Sequence, residues 1–294
     1  MPNLKEVRIR IESVKSTQQI TSAMKMVAAS KLRKAQNAII ALRPYANKLK
    51  EILGNLSNSL EENGNNLYGE IRREEKILIV SLASNRGLCG AFNSNVIKAT
   101  KLLLDKDYNR QYTTGNVRLI CAGRHVTDFF SKKGYPVIDR KDALLEKVTF
   151  AGVSEFAEQL MAMFARKEFD KVLLVYNQFK NAAVQRLVTE QFLPVMPPEV
   201  KGNNVNRNAD YIFEPNREEI LEELIPKTLK IQLYKAFLDS YASEQGARMT
   251  AMHQATDNAS EMLKQLKLSY NKARQTAITT EILEIVSGAN ALKA

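Results

Sequence analysis

The sequence predicts a mixed α/β protein in which two long terminal helices pair as an antiparallel coiled coil, with a Rossmann-like α/β domain inserted between them. Three observations support this fold class: helical apolar periodicity near both ends, short apolar runs in the middle, and asparagine-rich connectors at 63–68 and 202–208. We therefore expect an N-terminal coiled-coil helix in 1–58, the α/β domain in 59–215, and a C-terminal coiled-coil helix in 216–294.

The composition of the 294-residue chain fits this class. Hydrophobic residues make up 45% and charged residues 26%, as in globular proteins, which excludes a collagen-like or wholly disordered chain. The sequence contains no run of 18 apolar residues, so no membrane-spanning helix is predicted.

Residues 4–57 are predicted to form one helix, because they contain a single glycine and one internal proline, Pro44. Pro44 is expected to bend the helix without ending it, since the apolar periodicity continues on both sides. In steps of four and three residues, all positions from 28 onward are apolar: Ala28, Leu32, Ala35, Ile39, Leu42, Ala46, Leu49, Leu53 and Leu56. Such a stripe, here called the seam, is typical of a coiled-coil helix. Upstream the seam turns polar at Gln18, Thr21 and Lys25.

A second helix is predicted over 217–287, with Pro226 near its start and Gly288 as its C-terminal stop. Its seam reads Ile231, Tyr234, Leu238, Tyr241, Gln245, Arg248, Met252, Ala255, Ala259, Met262 and Leu266. It too is interrupted once by polar residues, at Gln245 and Arg248. A helix of about 70 residues is about 100 Å long, which is longer than a compact domain is wide.

The inserted domain joins helix ends near residues 56 and 217, which predicts antiparallel partners whose residue numbers total about 273. This register brings Lys25 level with Arg248. Because two cations cannot share a dry seam, both are expected to lean outward. Residues beyond about 272 then have no partner on the first helix, and the last 22 residues are predicted to project alone; we call these residues, 273–294, the tip.

The middle of the chain shows the pattern of βαβ units. Buried strands are predicted at 76–83, 116–122 and 171–176, an extended segment at 184–193, and helices at 93–105, 124–133 and 153–166. These elements give the Rossmann-like domain of the predicted fold.

The segment Ser84–Asn93, here called the glycine turn, follows the first predicted strand and opens a helix. Nucleotide-binding folds place a phosphate loop at this position, yet the spacing of Gly87 and Gly90 is neither GxGxxG nor GxxxxGK[ST]. The alternative is a tight turn in which Arg86, Gly87 and Gly90 have a structural role, and Gly87 or Gly90 needs a positive φ.

Positive charge is concentrated near the N-terminus. The chain carries 43 Lys and Arg against 32 Asp and Glu, a net charge of +11, and residues 1–50 hold eleven cations against Glu6 and Glu12. A basic segment of this kind suits nucleic acid, an anionic membrane surface, an acidic protein face, or simply solvent. Aromatic residues are only 7% and no RRM, KH or zinc-finger signature is present, which disfavours nucleic acid.

No chemistry-bearing constellation stands out. Cys89, Cys121, His125 and His253 are too few and too scattered for a zinc cluster, and no nucleophile, base and orienting residue share a motif. We expect no catalytic residue, no metal and no cofactor.

Several motifs nevertheless resemble one family. The segments that carry the resemblance are Ala23–Leu32, the glycine turn, Ser243–Met252, Ala255–Ala259, Ile278–Glu281, Glu284 and Gly288–Ala289. They are similar, across the whole chain, to the gamma subunit of F-type, proton-translocating ATP synthase.

The resemblance implies a rotating shaft without chemistry of its own. Its coiled coil would lie inside the hexamer of alpha and beta subunits, and its globular base, with epsilon, on the ring of c subunits. Because the shaft is asymmetric, rotation would shift each catalytic beta subunit between conformations of different nucleotide affinity.

The resemblance also implies two groups of contact residues. Those that would contact the alpha and beta subunits are Met24, Lys25, Lys31, Arg33, Lys34, Arg248, Arg274, Gln275, Thr279 and Glu281. Those that would sit in the apolar bearing of the hexamer are Ile278, Ile282, Ile285, Val286 and Leu292. Lys25, Lys31, Arg33 and Lys34 are expected to face an acidic loop of the beta subunits.

Two departures qualify the resemblance. Gly246 lies inside the second helix where family members often have alanine, which suggests local flexibility. The regulatory cysteine insert of chloroplast relatives is missing, and no transit peptide is recognised. These features favour a bacterial protein on the cytoplasmic side of the inner membrane, held there through its complex.

Two other functions remain open at this point. One is an independent nucleotide-binding α/β protein that uses the glycine turn and dimerises through its helices. The other is a basic coiled-coil protein that binds nucleic acid, which predicts a steep salt dependence of affinity.

Overall fold

The computed structural model describes residues 4–57, 67–195 and 217–291. Its two long helices are α1 (Leu4–Ser57) and α6 (Arg217–Ala291), so both predicted terminal helices are confirmed. Pro44 lies inside α1 without ending it. The predicted stop at Gly288 is wrong, because α6 continues past it: an exposed helical glycine costs only about 1 kcal/mol.

Between these helices lies one five-stranded sheet in the order β3-β2-β1-β4-β5. Its strands are β1 (Ile77–Leu82), β2 (Val117–Ala122), β3 (Val137–Arg140), β4 (Lys171–Phe179) and β5 (Gln185–Leu193). The first four strands are parallel, whereas β5 returns antiparallel to β4 as a hairpin. The predicted strands are confirmed. β3 was not predicted, because it is short and alternates half-buried with exposed residues.

The connecting helices are α2 (Phe92–Leu102), α3 (Asn109–Thr113), α4 (Arg124–Lys132) and α5 (Phe150–Ala165). A π-helical turn (Leu103–Asp107) follows α2, and a 3-10 turn (Asp142–Leu145) precedes α5. The predicted helices thus correspond to α2 with its π-helical turn, α4 and α5.

Side chains alternate across β1 and build an apolar core on each face of the sheet. On one face Ile77 and Ile79 pack with residues of α2 and α4. On the other face Leu78 and Val80 pack with α5 and with the α6 residues Ile225, Leu229, Leu233, Ala236 and Phe237. The first part of α6 is therefore a core helix of the α/β fold. The predicted boundaries 58/59 and 215/216, and most of the two asparagine-rich connectors, lie outside the described residues.

The chain forms two compact units, one from residue 29 to 247 and one that combines the residues up to 28 with those from 248 onward. In the larger unit the seam residues Leu32, Ala35, Ile39 and Leu49 of α1 are buried, as a coiled-coil seam requires. The seam side chains of Leu53 and Leu56 lie outside the described residues.

In the smaller unit the two helices run antiparallel, as predicted. Arg8 donates to the Tyr270 hydroxyl at 3.0 Å, Gln18 Nε2 donates to Ser260 Oγ at 2.6 Å, and the Thr21 and Thr256 hydroxyls lie 2.8 Å apart. The residue numbers of these pairs total 277 or 278.

The predicted total of 273 is therefore wrong by about one helical turn. A seam repeats every three to four residues, so a shift of one turn again places apolar residues opposite each other, and periodicity alone cannot separate the two registers. Lys25 lies level with residues 252 and 253 instead of Arg248. Arg248 is only 8% exposed, so the prediction that its side chain leans outward is also wrong.

The described side chains of the tip, from 273 to 290, are mostly exposed, as predicted. In the observed register Leu4, the first described residue of α1, lies opposite about residue 274, and the side chains from 278 to 290 are all exposed. Residues after about 274 therefore have no partner among the described residues of α1, so the free segment begins slightly later than predicted.

The register generates a direct test. Because the Thr21 and Thr256 hydroxyls lie 2.8 Å apart and each is one bond from its Cβ, we expect Thr21→Cys with Thr256→Cys to form a disulfide under mild oxidation of the isolated chain. Thr21→Cys with Met252→Cys, which matches a total of 273, is expected to remain reduced. Peptide mapping after thiol blocking measures both, and cross-linking of the second pair alone would restore the register predicted from sequence.

Candidate functional site

Exposed cations line α1 next to its buried seam. Lys31, Arg33 and Lys34 are exposed, whereas Leu32 and Ala35 between them are buried, so the three cations point away from the partner helix. Within the described residues, no carboxylate lies in ion-pair range of these cations. A cationic surface without internal compensation is available to an acidic partner.

In the smaller unit Met24 and Lys25 are half-buried and Arg248 is buried, whereas the other predicted contact residues lie further along α6. Arg274, Gln275, Thr279 and Glu281 are exposed, and the Thr279 hydroxyl donates to the Gln275 carbonyl at 2.9 Å. Since Met24 lies level with residues 253 and 254, the structure separates it from Arg274 by about 20 residues, or about 30 Å. The predicted contact residues of this unit therefore fall into two separate groups along the helices.

The tip presents an apolar surface. Its exposed large apolar side chains are Ile278, Ile282, Leu283, Ile285 and Val286. Leu283 was not among the predicted bearing residues, and the predicted Leu292 lies outside the described residues. Exposed apolar residues this close together on one helix are typical of a surface that another chain covers.

The glycine turn is fixed by hydrogen bonds around Ser84. The Asn93 carboxamide oxygen accepts from the Ser84 amide at 3.0 Å, and the Ser84 hydroxyl lies 2.7 Å from the carbonyl of Arg86. Gly90 has a φ of +58°, as expected of one glycine in this turn, and Leu88 adopts +62° with its side chain 63% exposed. Gly87 has no positive φ, so the conformational requirement applies to Gly90 alone.

A more constrained glycine follows β2 and was missed by sequence reasoning. Gly123 has a φ of +115°, and a Cβ there would lie 2.8 Å from the carbonyl carbon of Ala83. Its amide donates to the Asp142 carboxylate at 3.0 Å, and the next amide, that of Arg124, donates to the Asn85 side chain at 3.1 Å. The only signal in the sequence is a glycine directly after a predicted strand.

This geometry bears on phosphate binding. In phosphate loops, backbone amides at the carboxyl edge of a parallel sheet point at the ligand. Here the amides of Ser84, Gly123 and Arg124 are already bound by side chains of the same chain. These three amides are therefore not free to bind a phosphate, and the structural role of the glycine turn stays a prediction.

A cluster of polar side chains, some buried and some half-buried, lies where α6 meets the β4–β5 hairpin. Glu190 accepts from the Tyr176 hydroxyl at 2.6 Å and from Gln232 Nε2 at 2.8 Å. Asp239 of α6 is only 4% exposed. Burial raises the pKa of Asp239 to about 6, a rise opposed by Lys235 and Arg43 and strengthened by Glu190.

The described residues contain no group of three or more His, Cys, Asp or Glu side chains arranged to hold a metal ion. In the part of the chain that the structure describes, no helix is both long enough and apolar enough to cross a membrane.

We expect Gly123→Ala to destabilise the isolated chain by about 2 kcal/mol or more, because the new Cβ overlaps the Ala83 backbone at a strained φ. Gly90→Ala should cost about 1 kcal/mol, since its Cβ meets open space and only φ is unfavourable. Gly87→Ala, whose Cβ would lie 3.6 Å from His125, should change stability by less than about 0.5 kcal/mol. The free energy of unfolding, measured by urea denaturation, ranks the three variants. Equal effects at Gly87 and Gly123 would contradict the conclusion that Gly123 is the more constrained glycine.

Asp239 predicts a pH dependence of stability. Its pKa is about 6 in the folded chain against 3.8 ordinarily, so the folded state binds more protons between these values and loses stability as pH rises through them. The Asp239→Asn variant has no titrating carboxyl at this position and therefore does not lose stability in this way. We expect it to gain up to about 3 kcal/mol relative to wild type between pH 4 and pH 8.

The control is Asp107→Asn, at an exposed aspartate of the sheet β1–β5 with its helices α2–α5, here called the α/β unit. Its difference from wild type should change less between the two pH values than that of Asp239→Asn. Urea unfolding at both pH values measures the two differences, and a flat profile for Asp239→Asn would contradict the buried carboxyl as the cause.

Comparisons with known proteins agree with this architecture over the whole chain. A family model described as ATP synthase matches residues 3–292. The chain is 54% identical over 293 residues to the ATP synthase gamma chain of Flavobacterium psychrophilum, with 100% of both chains covered. It is 47% identical over 293 residues to that of Chlorobaculum parvum, again with 100% of both covered.

Solved structures share the fold. The rotor of Euglena gracilis mitochondrial ATP synthase matches with a TM-score of 0.64 at 19% identity, covering 94% of this chain and 98% of that chain. The central stalk and c-ring structure of the Tetrahymena thermophila mitochondrial enzyme matches with a TM-score of 0.58 at 24% identity, covering 80% and 99%. Identity over the full length, together with the two long helices and the inserted sheet, places this chain in the ATP synthase gamma chain family.

Proposed function

We propose that this chain is the central rotor shaft of a bacterial F-type ATP synthase, which couples proton-driven rotation of the c-ring to the conformational cycle of the catalytic alpha and beta subunits. The observation that carries the proposal is identity of about half over the full length of bacterial ATP synthase gamma chains. The antiparallel helices and the α/β unit supply the parts that such a shaft needs.

The mechanism is a population shift driven by contact. A shaft whose faces differ in charge and apolarity makes different contacts with each catalytic subunit, and each contact favours one conformation of that subunit. Lys31, Arg33 and Lys34 supply a charged face, and the tip supplies an apolar face. Catalysis belongs to the partner subunits in this proposal, and the chain acts as their mechanical and regulatory subunit.

The apolar tip suits a rotary bearing. Apolar contact is non-directional, so a sleeve around Ile278, Ile282, Ile285 and Val286 would hold the tip with few directional bonds to resist turning. Arg274, Gln275, Thr279 and Glu281 are exposed around the same segment and would make the polar contacts with the catalytic subunits. Arg248 is the weakest member of the predicted contact set, because it is buried within the chain.

The partners in this proposal are the alpha, beta and epsilon subunits and the c-ring, without nucleic acid. The chain would be a peripheral component on the cytoplasmic side of the bacterial inner membrane, held there through the complex. Structural relatives solved as rotor and as central stalk with c-ring support this arrangement.

Reconstitution tests the proposal. A complete membrane ATP synthase of a close relative that lacks only its own gamma chain should regain ATP-driven proton pumping when this chain is added. In the isolated chain, micromolar ATP binding that is lost with Gly90→Ala would instead favour the nucleotide-binding alternative. Tight DNA binding with a steep salt dependence would favour the nucleic-acid alternative.

The cationic face gives a specific prediction. Replacing Lys25, Lys31, Arg33 and Lys34 together with glutamine should alter turnover or coupling of the complex, because acidic loops of the beta subunits would lose their electrostatic partners. Any single replacement should have a modest effect, since exposed ion pairs contribute about 0 to 1 kcal/mol. ATPase rate and proton pumping are the measurements.

The matched control replaces four exposed cations of the α/β unit with glutamine: Lys98, Lys106, Arg110 and Lys132. It removes the same charge away from the proposed contact, and its turnover should stay closer to that of the wild type. Equal effects of the two quadruple variants would attribute the change to net charge and refute the contact.

A further inference from the structure

The β4–β5 hairpin makes an unusually close contact with α6. The Ser243 hydroxyl, fully buried, donates to the backbone carbonyl of Asn177 at 3.0 Å. One turn further along, a Cβ on Gly246 would lie 3.1 Å from the Ala182 carbonyl oxygen and 3.4 Å from its Cα. The hairpin backbone therefore approaches the helix at a position where only glycine leaves ordinary van der Waals space.

The turn of this hairpin is held rigidly from within. The Asn181 side-chain oxygen accepts from the amides of Ala183 at 3.0 Å and Val184 at 2.7 Å. Gln185 Nε2 donates to the Ala182 carbonyl at 3.0 Å, which fixes the oxygen that lies nearest to Gly246. A Cβ at Gly246 would meet a backbone that has little freedom to move aside.

A second directional contact lies further back on α6. Gln232 Nε2 donates to Glu190 Oε1 at 2.8 Å and to the Gln191 carbonyl at 3.2 Å. The hairpin thus contacts α6 from Gln232 to Gly246, a rise of about 20 Å along the helix. Apolar packing is non-directional, so it resists rotation of a helix about its own axis only weakly. Hydrogen bonds and a close backbone contact on one side of the helix resist that rotation strongly, because both depend on direction.

We propose that the β4–β5 hairpin is a clamp that fixes α6 rotationally on the α/β unit, and that Gly246 is its positioning residue because the absence of a Cβ lets the turn close on the helix. The inference rests on the proposed rotor function, since only a shaft under torque needs such a clamp. It replaces flexibility with close packing as the reason for glycine at position 246.

The stability of the isolated chain distinguishes flexibility from close packing as the reason for glycine at position 246. Alanine is the better helix former, so a glycine kept for flexibility should give a stabilised Gly246→Ala variant. Under the clamp, Gly246→Ala lowers the melting temperature, while Gly288→Ala, whose Cβ meets open space in the same helix, does not. A melting temperature raised by both substitutions would overturn the clamp.

The reconstituted complex tests the role under torque. Gly246→Ala should lower the ratio of protons pumped to ATP hydrolysed several-fold. Val184→Ala, an exposed position in the same turn, should leave the ratio unchanged. A wild-type chain that fails to restore pumping would refute the proposed function, whereas a functional wild type with full coupling in Gly246→Ala would refute only the clamp.

Discussion

The structure depends on burial of the first part of α6 against the central sheet. Ile225, Leu229, Leu233 and Phe237 lie in the same apolar core as the central strand, so the helix is anchored before its coiled-coil role begins. At about 25 cal/mol per Å² of apolar surface, four such side chains contribute several kcal/mol. Within the unit from residue 29 to 247, this anchoring fixes the orientation of α6. In the same helix a polar stretch runs from Asp239 to Arg248.

That polar stretch is unusual for a buried helix face. Asp239, Ser243, Gln245 and Arg248 are all nearly inaccessible, although a continuous apolar face would bury more favourably. For Ser243 the polar partner is the Asn177 carbonyl, to which its hydroxyl donates at 3.0 Å. Directional contacts at this level specify one orientation of the helix, which uniform apolar packing does not.

The sequence allowed the large elements to be predicted because their signals are long and repeated. Nine apolar seam positions identify α1, and continuous apolar runs identify β1, β2 and β4. The coiled-coil register was missed because a seam shifted by one turn looks the same. Gly123 and the Gly246 contact were missed because their constraints come from residues distant in sequence, Ala83 and Ala182. Contact residues such as Lys31 and Arg274 could be named only through family resemblance, since an exposed charge carries no local signal of its partner.

The exposed tip shows how function overrides the ordinary rules of surface composition. Ile278, Ile282, Leu283, Ile285 and Val286 lie within nine consecutive positions and are each about half or more exposed. A monomeric protein avoids such a patch because it promotes association. In the ATP synthase gamma chain family the patch is consistent with a shaft that is never without its surrounding subunits once assembled. The same reasoning applies to Lys31, Arg33 and Lys34 of α1, for which no carboxylate in the described part of this chain lies in ion-pair range, so that water, salt or a partner supplies the compensating charge.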